Sequence, residues 1–342
     1  MDRQNVYLRF IKAARMALKI LMDRFGDEIV AAYIYGSIAR GDYTESSDID
    51  IHIIIKHKEL MNNIPRNLWI EDLKVDISPH HISFYKLTPQ WILDHINTTC
   101  RWEGLWELEN IIILYDPENL VSNFREKILP ILSNDKLIRA RAKVSFNEAL
   151  KQLSNVENLI ERNLIDRAIT SMYMLRGGGG PSGAVPNILK TIIKLSCIQL
   201  TVRRIWIKFR RACHKLRSRE LLDYIKECYE LSKIDLKTIN EALSLVNQFS
   251  NSIGVDEREL KRFKMTVQEF INEEEMEAAY IFMIGSITSK YDALINTIPR
   301  TLRFEAKNIL LKIAGISNHE DLTQRIKSLY KAIKIVNELF EN

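Results

Sequence analysis

Asp48 and Asp50 stand two apart at the head of an apolar run, Ile49 to Ile55, and a Gly-Ser pair, Gly36-Ser37, precedes them by a short polar loop. In an extended strand, residues two apart project from the same face. Both carboxylates would therefore lie side by side while Ile49 and Ile51 turn the other way. Carboxylates held together repel each other, and a divalent cation between them relieves the repulsion. Hard oxygen ligands of this kind suit Mg²⁺ (or Mn²⁺) bridging to phosphates. Gly36 closes the apolar run Val30 to Tyr35, where the backbone must turn sharply and come close to a ligand. Ser37 can offer a hydroxyl and a backbone N–H to a triphosphate oxygen, and a short helix starting near Ile38 would point its positive end at the same anion. Together these groups could serve an in-line displacement at phosphorus, with metal ions stabilising the attacking and leaving oxygens.

Several elements must hold those residues in place. Val6 to Phe25 reads as an amphipathic helix, with Leu8, Ile11, Met16, Ile20 and Leu21 as the face packed under the sheet and Gly26 as its C-cap. Val30 to Tyr35 and Ile49 to Ile55 are buried strands, joined onward through a polar connection, Lys56 to Asn67, that contains Pro65. A third strand or hairpin covers Leu68 to Tyr85, in which Lys74-Val75-Asp76-Ile77-Ser78 alternates and puts Asp76 on the polar face. His80 and His81 face opposite ways at its end, at the surface or an interface. After Trp91, Trp102 and Trp106, Ile111 to Tyr115 is a last strand stopped by Asp116-Pro117.

The pattern GSxxRGxxxxxSDIDxxI, running from Gly36 to Ile53, is similar to the signature of the polymerase-β-like nucleotidyltransferase superfamily. It resembles most the small bacterial and archaeal members and the aminoglycoside nucleotidyltransferases of the kanamycin type. The likeness covers about the first third of the chain. It implies metal-dependent transfer of a nucleoside monophosphate, AMP from ATP or another NTP, to a hydroxyl or phosphate acceptor with release of pyrophosphate. Gly36, Ser37, Arg40 and Ser47 would bind nucleotide, and Asp48 and Asp50 would bind metal. The family also has a third carboxylate on an adjacent strand that completes the metal site or acts as base. Asp76 is the candidate, ahead of Glu71 and Asp72, because Asp72-Leu73 reads as a turn. In kanamycin-type enzymes the first long helix of the second half supplies a Glu base and a Lys that meets the α-phosphate. The resemblance places those roles at Glu148 and Lys151 with the local spacing off by one residue, and the same pair also fits a solvated helix face.

Length and composition suit an enzyme of two or three domains: 342 residues, 46% hydrophobic and 27% charged. The expected class is α+β, with a mixed-sheet catalytic domain over residues 1–132 and an α-helical domain over 133–342, split near 215–255, for acceptor binding or homodimerisation. No apolar run reaches the ~20 residues of a membrane span, and the expected location is the cytoplasm. Cys100, Cys197, Cys213 and Cys228 lack zinc spacing and read as reduced, buried thiols. A formal charge of +5 suits anionic nucleotides but is too mild to argue for nucleic acid.

The helical half opens with helices over Leu137 to Ile160 and Leu164 to Leu175. A glycine run, Gly177 to Gly180, follows as a loop over the acceptor or a plain connection. Arg203 to Arg219 holds eight Lys and Arg residues, and Arg204, Lys208, Arg211 and Lys215 would form one helical stripe, read as a solvated face ahead of an RNA surface. Glu273-Glu274-Glu275-Met276-Glu277 reads as an acidic helix start, or as a seat for a polycationic acceptor. Gly285-Ser286 is a small-residue contact within or between helices, and Gly254 and Asn296 to Pro299 are breaks. A small-molecule acceptor is favoured; the alternative is a protein-modifying (AMPylating) or regulatory protein of the nucleotidyltransferase fold, and RNA 3′-end chemistry comes last.

Overall fold

In the computed structural model, residues 3–95, 103–176, 182–198, 200 and 203–341 are described. Cys100, Trp102 and the glycine run Gly177 to Gly180, singled out above, lie outside them. The chain divides into two units, Met1–Leu137 and Ile138–Asn342.

In the first unit, β-branched and aromatic runs form the strands and polar turns separate them. The order is α1 (Arg3–Phe25), β1 (Ile29–Tyr35), α2 (Gly36–Arg40), β2 (Ile49–Ile55), β3 (Asn67–Ile70), β4 (Leu73–His81), α3 (Pro89–Asp94), α4 (Glu103–Glu107), β5 (Ile112–Tyr115) and α5 (Leu120–Ile128). The sheet runs β3-β4-β2-β1-β5. Only β2 and β4 pair in parallel, which makes the sheet mixed as expected. The β3–β4 turn falls at Glu71 and Asp72, with Glu71 left-handed at φ 57°.

One sheet face, with Ile34, Ile49, Ile51, Ile53, Val75 and Ile77, is buried against α1. Strand alternation then commits Asp50, His52, Asp76, Ser78 and His80 to the opposite face. The buried stripe of α1 is the expected one only at Leu21 and, in part, Ile11. Leu8, Met16 and Ile20 stay exposed, at 57%, 43% and 47%, while Phe10, Ala13, Ala14, Ala17 and Leu21 pack inward. The isoleucines already fill the space beneath the sheet, so the helix approaches through alanines.

The second unit is helical: α6 (Asp135–Glu161, begun in the first unit), α7 (Ile165–Tyr173), α8 (Ala184–Leu195), α9 (Ile205–Lys215), α10 (Arg219–Tyr229), α11 (Leu236–Ile253), α12 (Glu257–Asn272), α13 (Met276–Leu294), α14 (Arg300–Ile313) and α15 (His319–Glu341). Its core centres on Phe146, Tyr173, Trp206, Phe209, Tyr229 and Phe270. Gly285 is a contact residue as expected: a Cβ there would lie 2.5 Å from Leu175 Cβ, and Leu175 N–H donates to the Gly285 carbonyl at 3.1 Å. The cysteine expectation needs one correction, since Cys213 and Cys228 are buried but Cys197 is exposed. Among the described residues no helix is long and apolar enough to cross a membrane.

The basic run and the acidic run meet each other. Arg204 pairs with Glu273 at 2.6 Å, Arg210 with Glu275, and Glu277 accepts from Trp206 Nε1 at 2.9 Å and pairs with Lys226 at 3.0 Å. Lys215 of the expected stripe donates to the Ser196 carbonyl at 2.7 Å. Partly exposed pairs of this kind contribute only about 0–1 kcal/mol each. Glu273, Glu275 and Glu277 are thus engaged by partners within the helical unit.

Candidate active site

The two sequence motifs converge because Gly36 has no side chain. It takes φ +77°, and a Cβ built on it would fall 2.0 Å from Asp50 Oδ2. The Asp50 carboxylate occupies the place where any other residue's side chain would start. Register fixes the rest: Tyr35 of β1 pairs with Asp50 of β2, and Asp50 pairs with Asp76 of β4. We expect Gly36→Ala to push Asp50 aside and to strain the backbone, costing about 1–3 kcal/mol in stability. Thermal melting should report that loss, and transfer activity should fall with it.

The three carboxylates act on one another's surroundings at Asp50. The Asp50 carboxyl is held well above its usual range, first by burial and then by the charges of Asp48 and Asp76, with Arg40 pulling the other way. Lys74 Nζ grips both oxygens of Asp76, at 2.7 and 3.0 Å. Arg40 Nε also donates to Asp42 at 3.2 Å, so this cation braces the loop between the motifs as well as countering Asp50. Ser47 is buried, and its hydroxyl accepts from Thr44 N–H at 3.0 Å, tightening the turn that delivers Asp48.

Among the described residues no group of three His, Cys, Asp or Glu side chains is arranged to hold a metal ion as it stands. The chemistry of the donor set nonetheless fits a divalent cation. Burial and the charges of Asp48 and Asp76 raise the cost of ionising Asp50, and Lys74 supplies to Asp76 the kind of counter-charge that a cation would bring.

Below the carboxylates, the same face carries an aromatic layer that was not singled out from the sequence. Tyr35 OH shares a 3.2 Å hydrogen bond with Ser78 Oγ, and Tyr33 OH shares one of 2.9 Å with Tyr85 OH. His52 is buried, stacked on Tyr33 at 5.1 Å and edge-on to Tyr35 at 3.9 Å and to His80 at 4.0 Å. Glu107 Oε2 lies 3.0 Å from His52 Nε2, yet at an angle that leaves both ring nitrogens without a hydrogen bond. His80 is half-buried and joins this layer, with its Nδ1 3.3 Å from Tyr85 OH. His81 does face the other way and meets the Lys56 carbonyl at 2.9 Å. The available signal was period two: Tyr33 and Tyr35, Asp50 and His52, and Asp76, Ser78 and His80 are same-face residues.

Glu148 and Lys151 sit on α6 in the second unit. Glu148 accepts from Gln152 at 2.8 Å and lies 3.9 Å from Lys151 Nζ, whose side chain is 75% exposed. That is the arrangement of an ordinary helix-surface pair.

Sequence comparison gives the class of the first unit. Residues 18–97 match the family described as polymerase beta, nucleotidyltransferase. The matched stretch lies within the first unit and marks a polymerase-β-like nucleotidyltransferase domain there. A protein of Methanocaldococcus jannaschii that carries the provisional name protein adenylyltransferase is 26% identical over 127 residues, 34% of this chain and 78% of that protein. A nucleotidyltransferase-like protein from Exiguobacterium sibiricum aligns in structure over 83% of this chain and 79% of its own, at 8% identity. Its TM-score of 0.33 is too low to establish a common fold.

Proposed function

We propose that the protein transfers AMP from ATP, in a divalent-metal-dependent reaction, to a hydroxyl or phosphate acceptor with release of pyrophosphate. The observation that carries this reading is the pairing of Asp50 with Asp76 across β2 and β4, with Asp48 close enough to raise Asp50 and Gly36 yielding its side-chain space to Asp50. Asp48, Asp50 and Asp76 would hold Mg²⁺ or Mn²⁺, which when bound supplies charge stabilisation to an in-line displacement at phosphorus. Ser37 orients a phosphate oxygen beside the turn, and the Arg40 charge offsets the negative charge gathered there. The acceptor oxygen bonds to the α-phosphorus as the bond from that phosphorus to the bridging oxygen breaks, and pyrophosphate leaves with the electron pair. Asp76 takes the acceptor's proton. The helical unit is assigned to the acceptor or to self-association.

A small-molecule acceptor is the first reading. A protein acceptor is the second, supported by the name of the archaeal relative and by the engagement of Glu273, Glu275 and Glu277 in ion pairs and a hydrogen bond rather than in a polycation site. Incubation with each NTP labelled at the α-phosphate and Mg²⁺, followed by fractionation of cell extract into small molecules, RNA and protein, tests both. Label from ATP in the small-molecule fraction supports the first reading, and label in protein supports the second. Label confined to RNA would overturn both readings of the acceptor, and label in no fraction contradicts the proposal.

A further inference from the structure

The phenol of Tyr35 starts on β1 and ends on β4. Its Cα pairs with Asp50 and its hydroxyl meets Ser78, two residues beyond Asp76, so the side chain crosses β2 next to Asp50 and edge-on to His52 at 3.9 Å. A ladder of backbone hydrogen bonds fixes the Cα positions of Asp50 and Asp76 but leaves their side-chain torsions free. A ring laid across the face behind them removes the space into which they could swing toward His52 and His80.

We propose that Tyr35, pinned by Ser78, is a positioning residue that keeps the Asp50 and Asp76 carboxylates turned toward the metal and nucleotide. This rests on the metal-dependent reading above. Tyr33 provides the comparison, because its 2.9 Å bond to Tyr85 lies in the same layer, and its Cα pairs with His52 rather than with a carboxylate residue. Loss of either hydroxyl removes one hydrogen bond, part-buried at Tyr35 and buried at Tyr33.

The test titrates Mn²⁺ by calorimetry in the presence of α,β-methylene ATP, alongside steady-state kinetics and melting. Tyr35→Phe is expected to weaken Mn²⁺ binding by roughly three- to tenfold and to lower kcat by a similar factor with the KM for ATP unchanged, the signature of lost positioning rather than lost binding. Ser78→Ala should give the same loss, and the double variant no more than either alone, because both break one bond. Tyr33→Phe should lower the melting temperature while leaving Mn²⁺ affinity alone. Wild-type Mn²⁺ affinity in Tyr35→Phe would overturn the proposal, and so would an equal fall in Tyr33→Phe. Mn²⁺ binding that survives Asp50→Asn carries a different signature: it removes the metal assignment itself, and the proposal with it.

Discussion

Asp50→Asn is expected to abolish nucleotidyl transfer and, at the same time, to raise the melting temperature of the metal-free protein. The activity loss follows from removing a metal-binding charge without changing shape. Several kcal/mol of transition-state stabilisation depends on such a ligand, and each ~1.4 kcal/mol is tenfold in rate, so a fall of about 10³-fold or more is expected. The stability gain follows from the direction of the Asp50 shift. Burial, with Asp48 and Asp76, makes the folded carboxyl hold its proton to higher pH than it does in the unfolded chain. Between those two pKa values the folded state binds more protons, so stability falls as pH rises through that window, and the full cost is present above it. Asparagine carries no such cost. A rise of a few degrees, corresponding to roughly 1 kcal/mol, is expected at neutral pH. Added Mg²⁺ or Mn²⁺ should narrow the gap by stabilising the wild type alone. An Asn variant that melts lower than wild type without metal would contradict this account of the site.

Asp76→Asn carries the second large effect, a loss of about two orders of magnitude or more, as expected for a metal ligand or general base. Lys74 holds this carboxylate at 2.7 Å on the strand beside Asp50, so its place does not depend on the second unit. Glu148→Gln is expected to be nearly neutral. Glu148 is already engaged by Gln152 and by the exposed Lys151, and an isosteric amide keeps most of that surface pairing. Kinetics of the two variants under saturating ATP decide the matter. A near-neutral Asp76→Asn with a severe Glu148→Gln would move the base to the helical unit.

What was legible in the sequence was whatever local geometry dictates. Apolar runs placed β1 and β2, alternation placed β4, and the residue-two spacing put Asp48 and Asp50 at one strand head. Gly36 was readable as an obligatory glycine, although the reason, the nearness of Asp50 Oδ2, required the fold. Chain punctuation was equally local: α11 stops at Ile253 before a left-handed Gly254, and α14 starts after Pro299. The buried face of α1 was misjudged because side-chain size favours Leu8, Met16 and Ile20, whereas close packing on a filled sheet favours alanine. Partnerships across long separations were out of reach. Tyr35 meets Ser78 43 residues away, and Arg210 meets Glu275 65 residues away, so neither the crossing phenol nor the mutual engagement of the basic and acidic runs has a local signature.

The most direct measurement follows the two ends of the triphosphate separately. Parallel reactions with ATP labelled at the α- or the γ-phosphate, each with Mg²⁺ and with EDTA, should place the α label in the acceptor and the γ label in free pyrophosphate, only when metal is present and not with Asp50→Asn. Gamma label in the acceptor, or α label transferred equally well in EDTA or by the Asn variant, would contradict metal-dependent nucleotidyl transfer at Asp48, Asp50 and Asp76.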